Sequence, residues 1–281
     1  MNIQFLGTAA AEGVPALFCD CDTCRIARKK GGRYVRTRSQ SIIDHTLLID
    51  LGPDMLMHSL VQGLDLSHVE NCLVTHTHSD HLLLSNLFVR RRGFANLAPD
   101  TKPLTVWGSE ELGKEIGADQ DGRVNPDDSV LYRQLLPYTP TEVGAHVVTA
   151  LPAQHGTSQP YNYVIQSPEQ GKALLYAHDT GLWDDEAVWQ YLKESGIVFD
   201  AVSMDCTFAN DAPYKGSHHM CLSQNVEMRD RLRAIGVANE ATVFISNHFS
   251  HNGSDASYDT FERMAAEHGL LTSYDGMTLE F

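Results

Sequence analysis

Residues 74–81 have the sequence Val-Thr-His-Thr-His-Ser-Asp-His and continue the apolar run Asn-Cys-Leu-Val at 71–74. A short apolar run bounded by polar residues predicts a buried strand. We expect the polar side chains in the loop that leaves this strand, followed by a helix that begins at Leu82. Neutral imidazole and carboxylate groups are ligands for divalent zinc, iron or manganese. So short a loop cannot easily bring four ligands to one ion, but two adjacent ions can share them: His76, His78, Asp80 and His81.

A second group of metal-capable side chains lies near the start of the chain, where Cys19, Cys21 and Cys24 have C-x-C-x-x-C spacing. Three thiolates at this spacing can bind one ion from a single turn, and a structural zinc site needs a fourth ligand. The alternative is three reduced cysteines without a metal, which would be exposed to oxidation. The crowding of three of the six cysteines favours metal binding in a reducing cytosol over a disulfide framework. The sequence therefore predicts a structural zinc site and a cytoplasmic location.

The net charge of the chain limits the partners that we expect. The formal charge is −15 at pH 7 over 281 residues, and affinity for nucleic acid depends largely on Lys and Arg contacts to phosphates. Nucleic acid is therefore disfavoured. We expect neither a secretory signal nor a membrane span, because no basic segment precedes an apolar one at the start and no apolar run approaches ~18 residues. We expect one domain over residues 1–281, since no linker is visible, and we leave a homodimer open.

Three further metal-capable side chains follow other predicted strands. The runs at 147–151, 173–176 and 242–246 lead to His155, Asp179 and His248. Side chains from such distant positions converge only if the strands lie in layered sheets. The order of strands and helices indicates helices on the outside of two packed sheets. The sequence thus predicts an α/β (α+β) fold with the candidate ligands at one edge.

Other segments have predicted roles around this site. Asp50 could orient a metal-bound histidine through its ring N–H, or it could simply cap a turn. The arginines at 90–92 could face solvent or reach an anionic substrate. The acidic segment 117–129 could form part of a lid. Asp275-Gly276 predicts the turn of a final hairpin.

The pattern His76-x-His78-x-Asp80-His81, followed in order by His155, Asp179 and His248, resembles that of the metallo-β-lactamase superfamily of metal-dependent hydrolases. The similarity covers essentially the whole chain, including Gly7-Thr8 and Ile49-Asp50-Leu51-Gly52. The resemblance implies a four-layer αβ/βα sandwich with a binuclear site at one edge. It also implies that His76, His78 and His155 bind one ion, that Asp80, His81 and His248 bind the second, and that Asp179 bridges them. A lactamase proper is not expected, because that group generally has a cysteine at the bridging position.

The cysteine spacing resembles one branch of that superfamily, which contains the phosphoribosyl cyclic phosphate phosphodiesterases. In that branch a structural zinc is bound by three early cysteines and a late histidine, and His251 matches the histidine. A histidine near the substrate phosphate matches His219 or His218, and we favour His219. The Gly-Thr-Ala-Ala start also resembles the pyrroloquinoline quinone biosynthesis member. That relative is not expected to keep the full binuclear ligand set that is present here.

These features predict a binuclear hydrolase with two active-site divalent ions (Zn or Mn, with Fe as a further option) and one structural Zn. The candidate catalytic residues are Asp80 and His219. The expected nucleophile is a hydroxide shared by the two ions, with His219 as general acid or as donor to a phosphoryl oxygen. Our first choice of substrate is a small or cyclic phosphodiester. The alternatives are a transfer-RNA 3′-end endonuclease, an ester or lactone hydrolase, and a non-enzymatic metal-binding accessory protein of cofactor biosynthesis.

Overall fold

The computed structural model describes residues 1–117, 129–214 and 216–281, and its strands form two seven-stranded sheets. The first sheet contains, in spatial order, Met277–Glu280 (β14), Asn2–Gly7 (β1), Gln40–Ile43 (β2), Leu47–Ile49 (β3), Asn71–Leu73 (β4), Leu104–Gly108 (β5) and Val130–Gln134 (β6). The second sheet contains, in spatial order, Leu271–Thr272 (β13), Val243–Asn247 (β12), Ala201–Asp205 (β11), Lys172–Ala177 (β10), Tyr161–Ser167 (β9), His146–Pro152 (β8) and Thr141–Val143 (β7).

Helices connect these strands, and several have clear sequence signals at their ends. Asp185 caps the helix Glu186–Ser195 by accepting a hydrogen bond from the backbone N–H of Ala187, and Gly196 ends it in the left-handed conformation. The α-helices of the described residues are Asp22–Lys30 (α1), Met55–Gln62 (α2), Ser85–Phe88 (α3), Glu110–Gly117 (α4), Glu186–Ser195 (α5), Leu222–Ala234 (α6) and Tyr258–Glu267 (α7). Across the ranges given above, none of these helices has the length and apolar character that crossing a membrane requires.

Three apolar clusters separate four layers. The cluster between the sheets contains Phe5 and Ile49 from the first sheet, and Tyr163 and Tyr176 from the second. A second cluster joins the first sheet to α2, α3 and α4, and a third joins the second sheet to α5, α6 and α7. Each sheet therefore buries both faces, and the predicted αβ/βα sandwich is confirmed.

Strand direction explains why distant residues meet at one edge. Strands β3 and β4 are parallel, so their carboxyl ends lie side by side. Strands β10, β11 and β12 are also parallel, and β8 runs in the same direction because it and β10 are both antiparallel to β9. The loops that leave these strands carry the candidate ligands. The Tyr163 hydroxyl donates to the Val74 carbonyl across the sheets (2.6 Å), which ties the two edges together.

Two predicted elements were wrong. The helix expected from Leu82 begins only at Ser85, because Leu82 and Leu83 pair with the backbone of Leu51 instead. The expected final hairpin does not form: β13 pairs with β12 in the second sheet, whereas β14 pairs with β1 in the first. The Asp275 carboxylate binds Thr8 and Thr37 at this crossover, which holds the chain between the sheets. The predicted acidic lid at 117–129 lies, apart from its two end residues, outside the described residues.

Candidate metal centre

The buried carboxylate of Asp50 shapes the loop after β4. Its Oδ1 accepts the backbone N–H of Thr75 (2.8 Å), and its Oδ2 accepts the Nδ1–H of His81 (2.7 Å). The second contact fixes the tautomer of His81 and leaves Nε2 free. Gly52 permits this packing, because a Cβ there would lie 2.3 Å from the carbonyl oxygen of Asp80. Of the two roles considered for Asp50, the structure shows the contact that orienting a histidine requires.

Four of the five histidines in the predicted binuclear set use Nδ1 in the same way. His76 Nδ1 lies 3.0 Å from the Thr75 hydroxyl, and His248 Nδ1 lies 2.8 Å from the Thr207 hydroxyl. His155 Nδ1 donates to the carbonyl oxygen of His218 (3.3 Å). With His81 on Asp50, each of these four rings presents Nε2 to the same edge of the sandwich. Such outer hydrogen bonds set the orientation and basicity of metal-ligating imidazoles.

The first predicted ligand set is compact. His78 Nδ1 lies 3.0 Å from His76 Nε2 and 3.1 Å from His155 Nε2. Two ligands about 2.0–2.1 Å from one tetrahedral ion are about 3.3 Å apart, so this spacing fits a shared cation. The structure therefore brings together the three histidines that the resemblance assigned to one ion.

The second set meets the first at Asp179. Asp179 Oδ1 lies 3.6 Å from His155 Nε2, whereas Oδ2 lies 2.8 Å from both His81 Nε2 and His248 Nε2. Asp80 Oδ2 lies 3.3 Å from His81 Nε2. The two oxygens of Asp179 thus face different histidine sets, as a bridging carboxylate would. Asp179 and His248 both have left-handed backbones, with φ of 49° and 61°, a strained conformation that is typical of functional positions.

Some buried polar atoms at the centre of this cluster have no hydrogen-bond partner among the described residues, which bears on whether metal ions fit here. Within the part of the chain that the structure describes, three buried atoms make no hydrogen bond: His81 Nε2, His248 Nε2 and Asp179 Oδ2. Asp179 Oδ2 nevertheless lies 2.8 Å from each of the two imidazole nitrogens. Buried polar atoms normally have partners, so such a group requires an explanation. Divalent cations supply one, because imidazole and carboxylate donors pointing at a common space are the ligands that zinc, iron and manganese accept.

Electrostatics support the same fit. Burial lowers the pKa of His76 well below its ordinary value and that of His155 to about 4, so both are neutral and able to coordinate. Burial also opposes protonation of His248, but Asp179 outweighs it and raises the pKa of His248 to about 10. Burial also lowers the pKa of His81, but Asp179 and the other nearby carboxylates outweigh this effect and raise that pKa well above its ordinary value. The site thus attracts positive charge around Asp179, which metal cations can provide.

Asp205 and Thr207 were not predicted, yet they connect the site to His219. The buried carboxylate of Asp205 lies at the end of β11, and its Oδ2 lies 2.9 Å from His219 Nδ1 and 3.4 Å from His248 Nδ1. Burial lowers the pKa of His219, but the Asp205 carboxylate outweighs this effect and raises it. The Thr207 hydroxyl lies between the two rings, 2.8 Å from His248 Nδ1 and 3.1 Å from His219 Nδ1. The sequence signal was present, since Asp205 ends a buried strand like the other site residues.

A cavity of about 400 Å³ opens onto this cluster. Its walls include His78, Asp80, His155, Asp179 and His248 from the predicted ligands, together with His219. The rest of the lining is Ala10, Ala11, Glu12, Thr207, Phe208, Ser250, Asn252 and Gly253. Within the described parts of the chain, His218 and the arginines at 90–92 do not line it. His219 is therefore the better-placed histidine of the pair.

The cysteine site also assembles. His251 Nδ1 lies 3.4 Å from Cys19 Sγ and 3.6 Å from Cys21 Sγ, close to the ~3.5 Å that separates a thiolate from an imidazole on one tetrahedral zinc. Cys24 belongs to the same cluster. Burial would raise the pKa of Cys21, but hydrogen bonds from the Cys24 N–H and from His251 lower it to about 6. These four residues fit a structural zinc ion.

Several known proteins resemble this chain in sequence or in fold. A family profile described as a beta-lactamase superfamily domain matches residues 45–245. The coenzyme PQQ synthesis protein B of Methylobacterium radiotolerans is 30% identical over 134 residues, which cover 43% of this chain and 41% of that protein. The anti-Pycsar protein Apyc1 of Bacillus phage BSP38 is 25% identical over 197 residues, which cover 64% of this chain and 71% of that protein.

One solved structure matches the whole fold. The crystal structure of a new diphosphatase from the PhnP family has a TM-score of 0.75 and 20% identity to this chain. The match covers 100% of this chain and 97% of the diphosphatase. At this identity the likeness establishes the fold alone.

Proposed function

The chain belongs to the beta-lactamase superfamily, and from this premise we propose that it is a binuclear metal-dependent hydrolase of small or cyclic phosphodiesters. One observation carries the proposal. His219, which is hydrogen-bonded to Asp205, lines the same cavity as Asp179 and His248, two residues with unpartnered buried atoms among the described residues. A phosphodiesterase needs a site for the phosphoryl group and a proton source for the leaving oxygen, and this cavity contains candidates for both.

The proposed ligand sets follow the two oxygens of Asp179. His76, His78, His155 and Asp179 would hold one ion, and Asp80, His81, His248 and Asp179 would hold the other. When bound, two divalent ions supply Lewis acidity and lower the pKa of bound water toward about 7. Asp80 and Asp179 offset only part of their charge, so the cavity favours an anionic phosphodiester. Zn, Mn and Fe all suit this donor set.

His219 is the proposed proton donor. Its Nδ1 is held by Asp205 at 2.9 Å, which leaves Nε2 as the ring nitrogen available to the substrate. Asp205 itself accepts the backbone N–H groups of Thr207 (3.0 Å) and Met220 (2.9 Å) at Oδ1, so the pair has little freedom to rotate. His219 then transfers the Nε2 proton to the leaving oxygen as an oxygen from water bonds to phosphorus and the P–O bond to the leaving group breaks, or it donates a hydrogen bond to a phosphoryl oxygen. Asp205 orients the ring and stabilises its charged form.

A non-enzymatic accessory role in cofactor biosynthesis is the second candidate, and the 30% identity to a PQQ synthesis protein favours it. A transfer-RNA endonuclease is less favoured, because the chain carries a formal charge of −15 and the cavity lining contains no lysine or arginine among the described residues. An ester or lactone hydrolase would use the same donor groups. The cytoplasmic location, the single domain and the homodimer remain predictions.

The test is a parallel assay of metal-loaded protein on bis-p-nitrophenyl phosphate, a lactone and precursor transfer RNA. His78→Ala is the site variant, and His68→Ala, an exposed histidine outside the cluster, is the matched control. The proposal expects turnover of the phosphodiester that falls at least ~100-fold in His78→Ala and less than about twofold in His68→Ala. Turnover of the lactone or the transfer RNA alone would contradict the substrate class. If the wild type binds zinc but turns over none of the three substrates, and His78→Ala loses zinc binding, the accessory role is favoured.

A further inference from the structure

Glu12 lines the same cavity as the candidate ligands of the binuclear site, but it is not one of them. Its Oε1 accepts the Ser250 hydroxyl (3.1 Å) and the Asn252 side-chain N–H (3.1 Å). These contacts fix the carboxylate on the loop that follows His248. Among the described residues, none is hydrogen-bonded to Oε2. The Glu12 side chain is 37% exposed and lines the cavity, so its carboxylate can be reached by a molecule there.

The neighbouring walls have a consistent chemistry. Phe208 is half-buried and lies with its ring 6.2 Å from that of His219, next to the proposed proton donor. The lining also includes small residues, which leave room beside the Phe208 ring: Ala10, Ala11 and Gly253. The described lining contains no lysine or arginine that could bind a second phosphate. Away from the metal ligands, this cavity therefore offers an aromatic surface and a fixed carboxylate acceptor.

We propose that Glu12 determines specificity by selecting phosphodiesters whose remaining part is an uncharged ring with hydroxyl donors, such as a sugar or nucleoside, and by rejecting a second phosphate. The assignment rests on the proposed function. A carboxylate accepts hydrogen bonds and cannot donate them, so it recognises hydroxyl and N–H groups. The same charge repels an anionic substituent placed in the same position.

A purely structural role is the rival explanation, because Glu12 also connects the segment before the cysteine site to the loop at 250–252. His251 Nε2 lies 3.9 Å from Glu12 Oε1. A structural role predicts that removing the charge affects all substrates to the same extent. A specificity role predicts a change in the ratio between substrates that differ only where Glu12 would contact them.

The test uses two matched probes: thymidine 5′-(p-nitrophenyl phosphate) and its 3′-phosphorylated form. The variant is Glu12→Gln, which keeps an oxygen acceptor for Ser250 and Asn252. Glu169→Gln, in the exposed β9–β10 turn, makes the same charge change outside the cavity. We expect wild-type kcat/KM to favour the 3′-hydroxyl probe over the 3′-phosphorylated probe, and Glu12→Gln to reduce that preference at least about fivefold. Glu169→Gln should leave it unchanged within about twofold.

Calorimetric binding of the two products to metal-loaded protein gives a readout that does not depend on turnover. The ratio of Kd values for thymidine 5′-phosphate and thymidine 3′,5′-bisphosphate should shift in the same direction in Glu12→Gln. An unchanged ratio, with or without a uniform loss of activity, would overturn the assignment while leaving the phosphodiesterase proposal intact. If the wild type neither cleaves bis-p-nitrophenyl phosphate nor binds the products, the proposed function fails first.

Discussion

Replacing Asp205 by Asn tests whether this carboxylate supports the proposed chemistry. The variant keeps an oxygen for the N–H groups of Thr207 and Met220, but it places an amide N–H against His219 Nδ1. The charge-assisted hydrogen bond at 2.9 Å is then lost. A hydrogen bond to a charged group contributes about 1.5–3 kcal/mol, which corresponds to about a 10- to 160-fold decrease in rate if the bond is fully formed in the transition state.

The assay compares kcat on bis-p-nitrophenyl phosphate with kcat on diphenyl phosphate, whose leaving group is more basic. A proton donor matters more for the poorer leaving group, so Asp205→Asn should lose more activity on diphenyl phosphate. Asp200→Asn is the matched control, because Asp200 precedes the same strand and binds Lys172 and the Ala173 N–H away from the cavity. Equal losses on both substrates, or equal losses in both variants, would refute the role assigned to the Asp205–His219 pair.

Three further changes test other parts of the account. Gly181→Ala would place a Cβ 1.9 Å from the Ser217 carbonyl oxygen and displace the loop that carries His219, so kcat should fall at least ~10-fold. The control is Gly117→Ala, where a Cβ meets nothing within 4 Å, and it should change kcat less than ~twofold. Equal effects of the two substitutions would contradict the packing argument. Burial raises the pKa of Asp275 to about 6, so its ionisation costs stability as pH rises from about 4 to about 6. The free energy of unfolding of Asp275→Asn, measured by denaturant titration, should therefore rise by about 2 kcal/mol relative to that of wild type between pH 4 and pH 7. A difference between the two proteins that does not change with pH would refute this reasoning. Cys24→Ala should lose about one zinc per chain by elemental analysis and lower Tm, whereas the buried Cys221→Ala should keep its zinc; full zinc content in Cys24→Ala would contradict the cysteine site.

The layered fold and the clusters of candidate ligands could be predicted because they depend on local patterns. The histidines at 76, 78 and 81 sit on one loop after an apolar strand, and residues 155, 179 and 248 each follow a strand of the correct type. Parallel strands then bring their carboxyl ends to the same edge. The resemblance to a known family supplied the predicted division of these residues between two ions, which spacing alone left open.

Other features depend on contacts that no local pattern reveals. Leu82 and Leu83 have helical spacing, but pairing with Leu51 keeps them out of the helix. Asp275-Gly276 looks like a hairpin turn, but the buried contacts of Asp275 with Thr8 and Thr37 send the flanking strands to different sheets. The contacts of Asp275 with Thr8 and Thr37 join residues more than two hundred positions apart. The position of Asp205 beside His219 likewise depends on how the chain returns after β11.

The most direct test of the paired-ion site is anomalous diffraction from metal-loaded crystals at the absorption edges of zinc, iron and manganese. The account predicts two peaks about 3.5–4 Å apart on either side of the Asp179 carboxylate. A third peak, from zinc, should lie among Cys19, Cys21, Cys24 and His251. A single peak at Asp179, or none, in fully loaded protein would contradict the claim that these seven side chains hold two ions.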